Sequence, residues 1–260
     1  MLPNHSPLVI AEQFGTLEAL YPGRIDLGVG RAPGTDPATV VALRRDPLVS
    51  ADRFPQDVIE LMSYFDDTEE GKAVRAVPGA GLRVPIWVLG SSLFSARLAA
   101  MLGLPYAFAA HFAPAPMMQA LEIYRRDFNP SGRLSRPYAI VAANVVAADN
   151  QAEAERLFTS LQLSFVALRR GKPAKLPAPV QDMDRHWTGA ERSIVESALA
   201  ISFVGTATTV QRGLEALLSM TLADELLISG HIYDHAARLR SFEITAGIRR
   251  MARNDKSAAA

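Results

Sequence analysis

Short apolar runs alternate along the chain with longer stretches in which apolar residues recur every three or four positions. The first periodic stretch follows Ser6 and Pro7, residues suited to a helix cap and a first helical turn. There Ile10, Phe14, Leu17 and Leu20 fall on one face and Glu12, Gln13 and Glu18 elsewhere, which predicts a helix with the apolar face inward. Tyr21-Pro22-Gly23 makes a turn. Ile25, Leu27 and Val29 then alternate as a strand over residues 24–30. Pro55 opens a second helix with Val58, Ile59, Met62 and Phe65 on its inner face. Residues 66–85 change character. Asp66, Asp67, Glu69 and Glu70 precede Pro78-Gly79-Ala80-Gly81, and the segment reads as an excursion outside the packed elements.

Pro85 to Gly90 is a nearly continuous apolar run, the pattern of a strand covered on both faces. A helix carrying Leu98, Ala99, Met101 and Leu102 follows. Gly103 suits the position just past its end, with Pro105 beyond. Tyr106–Ala110 reads as a strand ending at His111. Met118, Leu121, Tyr124 and Phe128 mark the next helix. Tyr138–Ala147 is a strand, and Asp149 or Asn150 caps a long helix reaching about Arg169. Thr188 and Glu191 have capping-box spacing. Thr206 can cap a further helix to Leu218. Asp224–Ser229 is the last strand, and a final helix runs from about Asp234 to Arg250. The tail, residues 254–260, is expected to be disordered. Five strands alternating with helices imply an α/β fold with adjacent parallel strands in one sheet.

Composition narrows the class. The 260 residues are 49% hydrophobic and 21% charged, an ordinary globular mixture that reads as one domain. Lys+Arg and Asp+Glu both number 27, so no basic excess points to nucleic acid. The chain has no cysteine, which excludes disulfides, thiolate catalysis and cysteine–zinc sites and fits a cytoplasmic protein. No apolar run approaches the ~18 residues a membrane span needs, and the N-terminus does not read as a signal peptide.

Two places carry candidate chemistry. Gly28-Val29-Gly30-Arg31-Ala32-Pro33-Gly34 lies where a strand becomes a loop. In α/β folds ligands bind at such strand ends, and an arginine there can fork onto a phosphate. The alternative is a surface arginine in a turn. Gly90, Ser91, Ser92 and Ser95 lie between a buried strand and a helix. A helix start leaves backbone N–H groups unpaired and favours an anion, and serine hydroxyls add donors. Simple N-capping is the alternative. His5, His111, His231 and His235 stand at loops and element ends. The spacing of His231 and His235 supplies at most two metal ligands, so no metal is expected. No Gly-x-Ser-x-Gly or Gly-Lys-Ser/Thr motif is present.

Leu2-Pro-Asn-His-Ser-Pro-Leu-Val-Ile-Ala-Glu-Gln and Gly23-Arg-Ile-Asp-Leu-Gly-Val-Gly-Arg-Ala-Pro-Gly resemble the bacterial luciferase-like monooxygenase family. Leu89-Gly-Ser-Ser, Gly103-Leu-Pro and Asp234-His-Ala-Ala-Arg-Leu-Arg-Ser agree, in order, over nearly the whole chain. The resemblance is closest to its branch of flavin-dependent oxidoreductases. It implies a (β/α)₈ TIM barrel and a monooxygenase using reduced FMN and oxygen on a small organic substrate. It also implies a flavin reductase partner and a homodimer. Arg31 would contact the FMN phosphate, with Gly90, Ser91, Ser92 and Ser95 as the phosphate-side turn. Asn4 and His5 would lie near the flavin ring, and His111 would line the open face. His5 and His111 are the candidates for a catalytic role.

In the family about 80 further residues, roughly three strand–helix units, precede the Leu-Pro-Asn-His motif. Five strands against eight imply a barrel that is incomplete in this chain, with the first three strands absent. Such a remnant is expected to leave interior residues such as Leu27 and Val88 partly uncovered. Two other readings stay open: a deazaflavin-dependent dehydrogenase of the same superfamily, and a flavin-binding barrel remnant without turnover.

Overall fold

The computed structural model describes residues 1–32, 37–43, 52–66 and 73–258. Pro33 and Gly34 of the glycine-rich stretch, and Asp67, Glu69 and Glu70, lie outside them. The sequence reads as one domain, and its contacts group into two compact units. One comprises Met1–Phe108 with Gln119–Ala139, the other Ala109–Met118 with Ile140–Ala260.

The first unit holds three parallel strands in the order β1 (Leu27–Gly30), β2 (Ile86–Gly90) and β3 (Tyr106–Phe108). Leu27 registers with Ile86, Val29 with Val88, and Val88 with Tyr106. Strand side chains alternate between faces, so these residues share one face with Phe108. That face is the covered one. Helix α4 (Leu93–Leu102) packs on β2, and Leu27 and Val88 are 3% and 0% exposed. The expectation that both would be partly uncovered is therefore corrected. The open residues belong to the opposite face, where Leu89 is 40% exposed and lies over Gly28.

Helix α1 (Pro7–Leu20) has the expected period but a different inner face. Pro7, Ala11 and Gly15 are buried, whereas Leu17 and Leu20 are exposed. The cause is a backbone-to-backbone contact. A Cβ on Gly15 would stand 2.3 Å from the Gly79 Cα, and one on Gly79 would stand 2.9 Å from the Ala11 carbonyl oxygen. Only small residues permit that approach, so Leu17 and Leu20 lie outward while Ile10 and Phe14 are half-buried. Helix α2 spans Pro37–Ala42. Helix α3 (Phe54–Phe65) buries Phe54, Val58, Leu61 and Phe65, while Ile59 is exposed. Gly103 ends α4 in the left-handed conformation, φ 60°, as its sequence position predicts. On α5 (Met117–Arg126), the buried Tyr124 hydroxyl donates to the Leu104 carbonyl (2.9 Å) and accepts from the Tyr138 amide (3.1 Å).

The second unit is built on β4 (Ala139–Ala147), which pairs in parallel with both β5 (Ser202–Gly205) and β6 (Glu225–Ser229). The count of five strands is corrected to six among the described residues, because β5 escaped the sequence reading. The upper part of β4, Asn144–Ala147, registers with β5, and the lower part, Ile140–Asn144, with β6. Helices α6 (Gln151–Arg169), α7 (Gly189–Ala198), α8 (Ala207–Thr221) and α9 (His235–Ala258) complete the unit. Val145 and Ala147 pack with Val210, Leu214 and Ile248. Leu161 and Val166 on α6 pack with Val195 and Leu199 at α7. The helix α9 continues through Ala258, and residues 259–260 lie outside the described residues.

The Thr188–Glu191 capping box is formed in both directions. The Arg170 guanidinium and the Thr188 amide, both donating to Glu191, hold its carboxyl down at about 2. Thr188→Ala is expected to cost about 1 kcal/mol, measured by urea denaturation, since it leaves a first-turn N–H unpaired.

Candidate functional site

At the end of β1 the chain emerges at Arg31, which is exposed. Its guanidinium carbon lies 4.3 Å from the centroid of the Phe94 ring, on the first turn of α4. A cation held flat on an aromatic ring loses little hydration and keeps its donor edge free. Among the described residues Arg31 makes no ion pair. The strand end and the helix start, singled out separately in the sequence, thus meet within one unit. Ser92 occupies the cap position in extended conformation, φ −138° and ψ 162°, yet its side chain makes no capping hydrogen bond. The first N–H groups of α4 and the half-buried Ser91 and Ser92 hydroxyls can therefore serve an anion beside the arginine.

Ser95 is placed differently from Ser91 and Ser92. It is 4% exposed, and its hydroxyl donates to the Ser92 carbonyl (2.8 Å) and lies 3.2 Å from the Tyr106 hydroxyl. Tyr106 reaches the same carbonyl at 3.4 Å. Burial, partly offset by Ser95, pushes the Tyr106 phenol up to about 12, so it keeps its proton. Ser95 thus holds the turn from beneath. Gly90 makes room for it: a Cβ there would be 2.2 Å from the Ser95 Oγ.

Asn4 ends a single 3₁₀ turn, Leu2–Asn4, and His5 follows it, exposed. A Cβ placed on Gly30 would be 3.7 Å from the Met1 sulfur, so this turn adjoins the end of β1. Asn4 and His5 accordingly sit on the segment next to the strand that delivers Arg31.

His111 belongs to the second unit, in a cluster that sequence reasoning only half anticipated. Its carbonyl accepts from Asn144 Nδ2, which also donates to the Ser202 hydroxyl at 3.1 Å. Ser229 Oγ is 3.2 Å from His231 Nδ1. Asn144 and Ser202 are missed residues. The available signal was a lone amide inside the apolar run Ala139–Ala147, because a buried polar side chain needs partners. At the start of α9 the Asp234 carboxylate accepts from the Ala237 amide, and His235 turns to Arg238.

Burial first, and the charge of His231 second, hold His111 below the ordinary histidine range. Burial lowers His231 too, although the residue stays open to solvent on one side. Both rings are neutral at pH 7. In the unfolded chain each takes a proton as pH falls through about 6.5, before the folded form does. The stability these neutral rings contribute is therefore complete above that pH and is lost below it, toward the lowered folded values. The midpoint of urea unfolding is expected to fall between pH 7.5 and pH 5.5, and to fall less in His111→Asn.

The match to known proteins is extensive. The family model described as luciferase-like monooxygenase matches residues 1–225. A luciferase-like monooxygenase of Escherichia coli (strain K12) is 55% identical over 249 residues, 96% of this chain and 74% of the relative. The crystal structure of apo-MsnO8 aligns with a TM-score of 0.80 and 30% identity, covering 96% of this chain and 76% of that one. The oxygenating constituent of 3,6-diketocamphane monooxygenase from the CAM plasmid of Pseudomonas putida, solved with FMN, shares the fold. Its TM-score is 0.59 at 20% identity, with 94% and 75% of the two chains covered. F420-dependent enzymes are among the other structures of this fold. A family match that runs from Met1 through all but the last strand and helix, with more than half the residues shared with the relative from E. coli, means that this chain belongs to the luciferase-like monooxygenases.

Proposed function

We propose that the chain is a flavin-dependent monooxygenase that binds FMN by its phosphate at Arg31 and the Ser91-Ser92 start of α4, and oxidises a small organic substrate. The observation that carries this reading is the Arg31–Phe94 contact, which sets a cation beside open N–H and hydroxyl donors. These groups fit a phosphate in charge and in hydrogen-bonding sense. Gly90 and Ser95 support the turn, and Asn4 and His5 follow the segment that adjoins the end of β1. When bound, reduced FMN would supply the electrons for oxygen activation. The protein's own part is to fix the cofactor and keep water away from it. His5 and His111 remain the candidates for handling a proton, His111 as a neutral imidazole. A reductase delivering reduced flavin, a homodimeric assembly and a cytoplasmic setting belong to the same reading.

The F420-dependent structures of the same fold favour one alternative, hydride transfer with a deazaflavin, because that cofactor also carries phosphate. Titrating the purified chain with FMN and with F420, followed by fluorescence quenching, separates the two. Preference for FMN, with substrate-dependent oxygen uptake in reduced FMN, is the expected result. Preference for F420 without oxygen uptake would replace the monooxygenase reading.

A further inference from the structure

The second unit carries a polar cluster that the phosphate site does not use. Asn144 is 1% exposed and sits in register with Ser202 on β5 and Ser229 on β6, so all three share a face of the sheet. Both Nδ2 protons of Asn144 are committed, one to the His111 carbonyl and one to Ser202 Oγ. A carbonyl can only accept, so this contact fixes which end of the amide is nitrogen. The remaining atom, Oδ1, is buried and has no hydrogen-bond partner among the described residues, and the same is true of His111 Nδ1. A buried acceptor left alone is costly and rare in a folded protein. These two unpaired groups belong to residues tied together by the Asn144–His111 backbone hydrogen bond, with Ser229 and His231 at the neighbouring strand end, and a bound ligand would supply the partners they lack.

The chemistry of the cluster selects the ligand class. Asn144, His111, His231, Ser202 and Ser229 include no carboxylate, lysine or arginine, and burial keeps both imidazoles neutral. Neutral groups recognise a neutral partner. Oδ1 requires an N–H or O–H donor, while a neutral imidazole nitrogen can donate or accept according to its tautomer. We infer that Asn144, with His111 and His231, forms a binding site for an uncharged molecule bearing an N–H or O–H donor beside an acceptor, such as a primary amide or an alcohol. This site stands on the second unit alone and does not depend on which cofactor the first unit takes.

The test uses the full chain with ¹⁵N-labelled histidine, whose five imidazoles are few enough to resolve. Butanamide and methyl propanoate serve as probes, being similar in size and both carrying a carbonyl, but only the amide has N–H donors. Butanamide is expected to shift the His111 and His231 signals saturably and to bind about tenfold more tightly than the ester, the loss expected when a buried acceptor goes unmet. In Asn144→Leu that preference should vanish. If Asn144→Leu does not fold, Ser202→Ala gives the second reading: it leaves Oδ1 in place, so the preference for the amide should persist. Equal binding of the two probes, or no shift of either histidine, would mean that a bound water meets Oδ1 and would overturn the proposal.

Discussion

Arg31→Ala is expected to weaken FMN binding about tenfold to a hundredfold while leaving riboflavin binding nearly unchanged. The two ligands share the ring and the ribityl chain and differ in the phosphate, so their ratio isolates the group Arg31 is assigned to hold. The magnitude follows from removing one charged hydrogen-bonding partner, about 1.5–3 kcal/mol. Arg31 is exposed and makes no ion pair among the described residues, so its loss should not disturb the fold. Its guanidinium lies over the ring of Phe94. Fluorescence-quenching titrations of both flavins into both proteins measure the effect. Equal losses for the two flavins would move Arg31 from the phosphate to the ring pocket, and the assignment would be withdrawn.

Gly90→Ala is expected to destabilise the chain by about 1–3 kcal/mol in urea denaturation, a large effect for one methyl group. The new Cβ would meet Ser95 Oγ at 2.2 Å and Ser95 Cβ at 2.5 Å. Rotating the serine cannot relieve both. Ser95→Gly removes both atoms and leaves the Ser95 Cα at 4.0 Å, an ordinary contact. That variant alone should also destabilise, since it places glycine in a helix and removes the hydroxyl bonded to Ser92. The double variant should then be more stable than the sum of the two losses predicts, because the collision exists only when both original neighbours meet. Simple additivity would show that the strain lies somewhere other than between Gly90 and Ser95.

Local chemistry made much of this legible in the sequence. The Thr188 capping box and the Gly103 helix end depend on a few adjacent residues, and the structure forms both as expected. Arg31 and the serine turn were legible for a topological reason: parallel strands bring their ends to the same side. What stayed hidden depends on distant neighbours. The inner face of α1 is set by Gly79, far along the chain, which admits Ala11 and Gly15 and turns Leu17 outward. Ser95 looked like its neighbours in sequence, and only the packing of Tyr106 beneath α4 shows it facing inward. The strand β5 is four residues long and three of them are only half-buried, so no apolar run announced it. Asn144 was absorbed into the apolar strand around it, although its amide is what ties β4 to the His111 loop.

The pairing of β4 also gives the second unit a direction in time. A chain leaving the ribosome completes β5 before β6, so Asn144–Ala147 can be paired while Ile140–Ala143 still lacks the neighbour that Glu225–Ile228 will supply. Until then the lower half of this nine-residue strand presents unpaired backbone on that side. Synthesis thus passes through a stage in which the lower half of β4 waits for β6, a strand made only after α8.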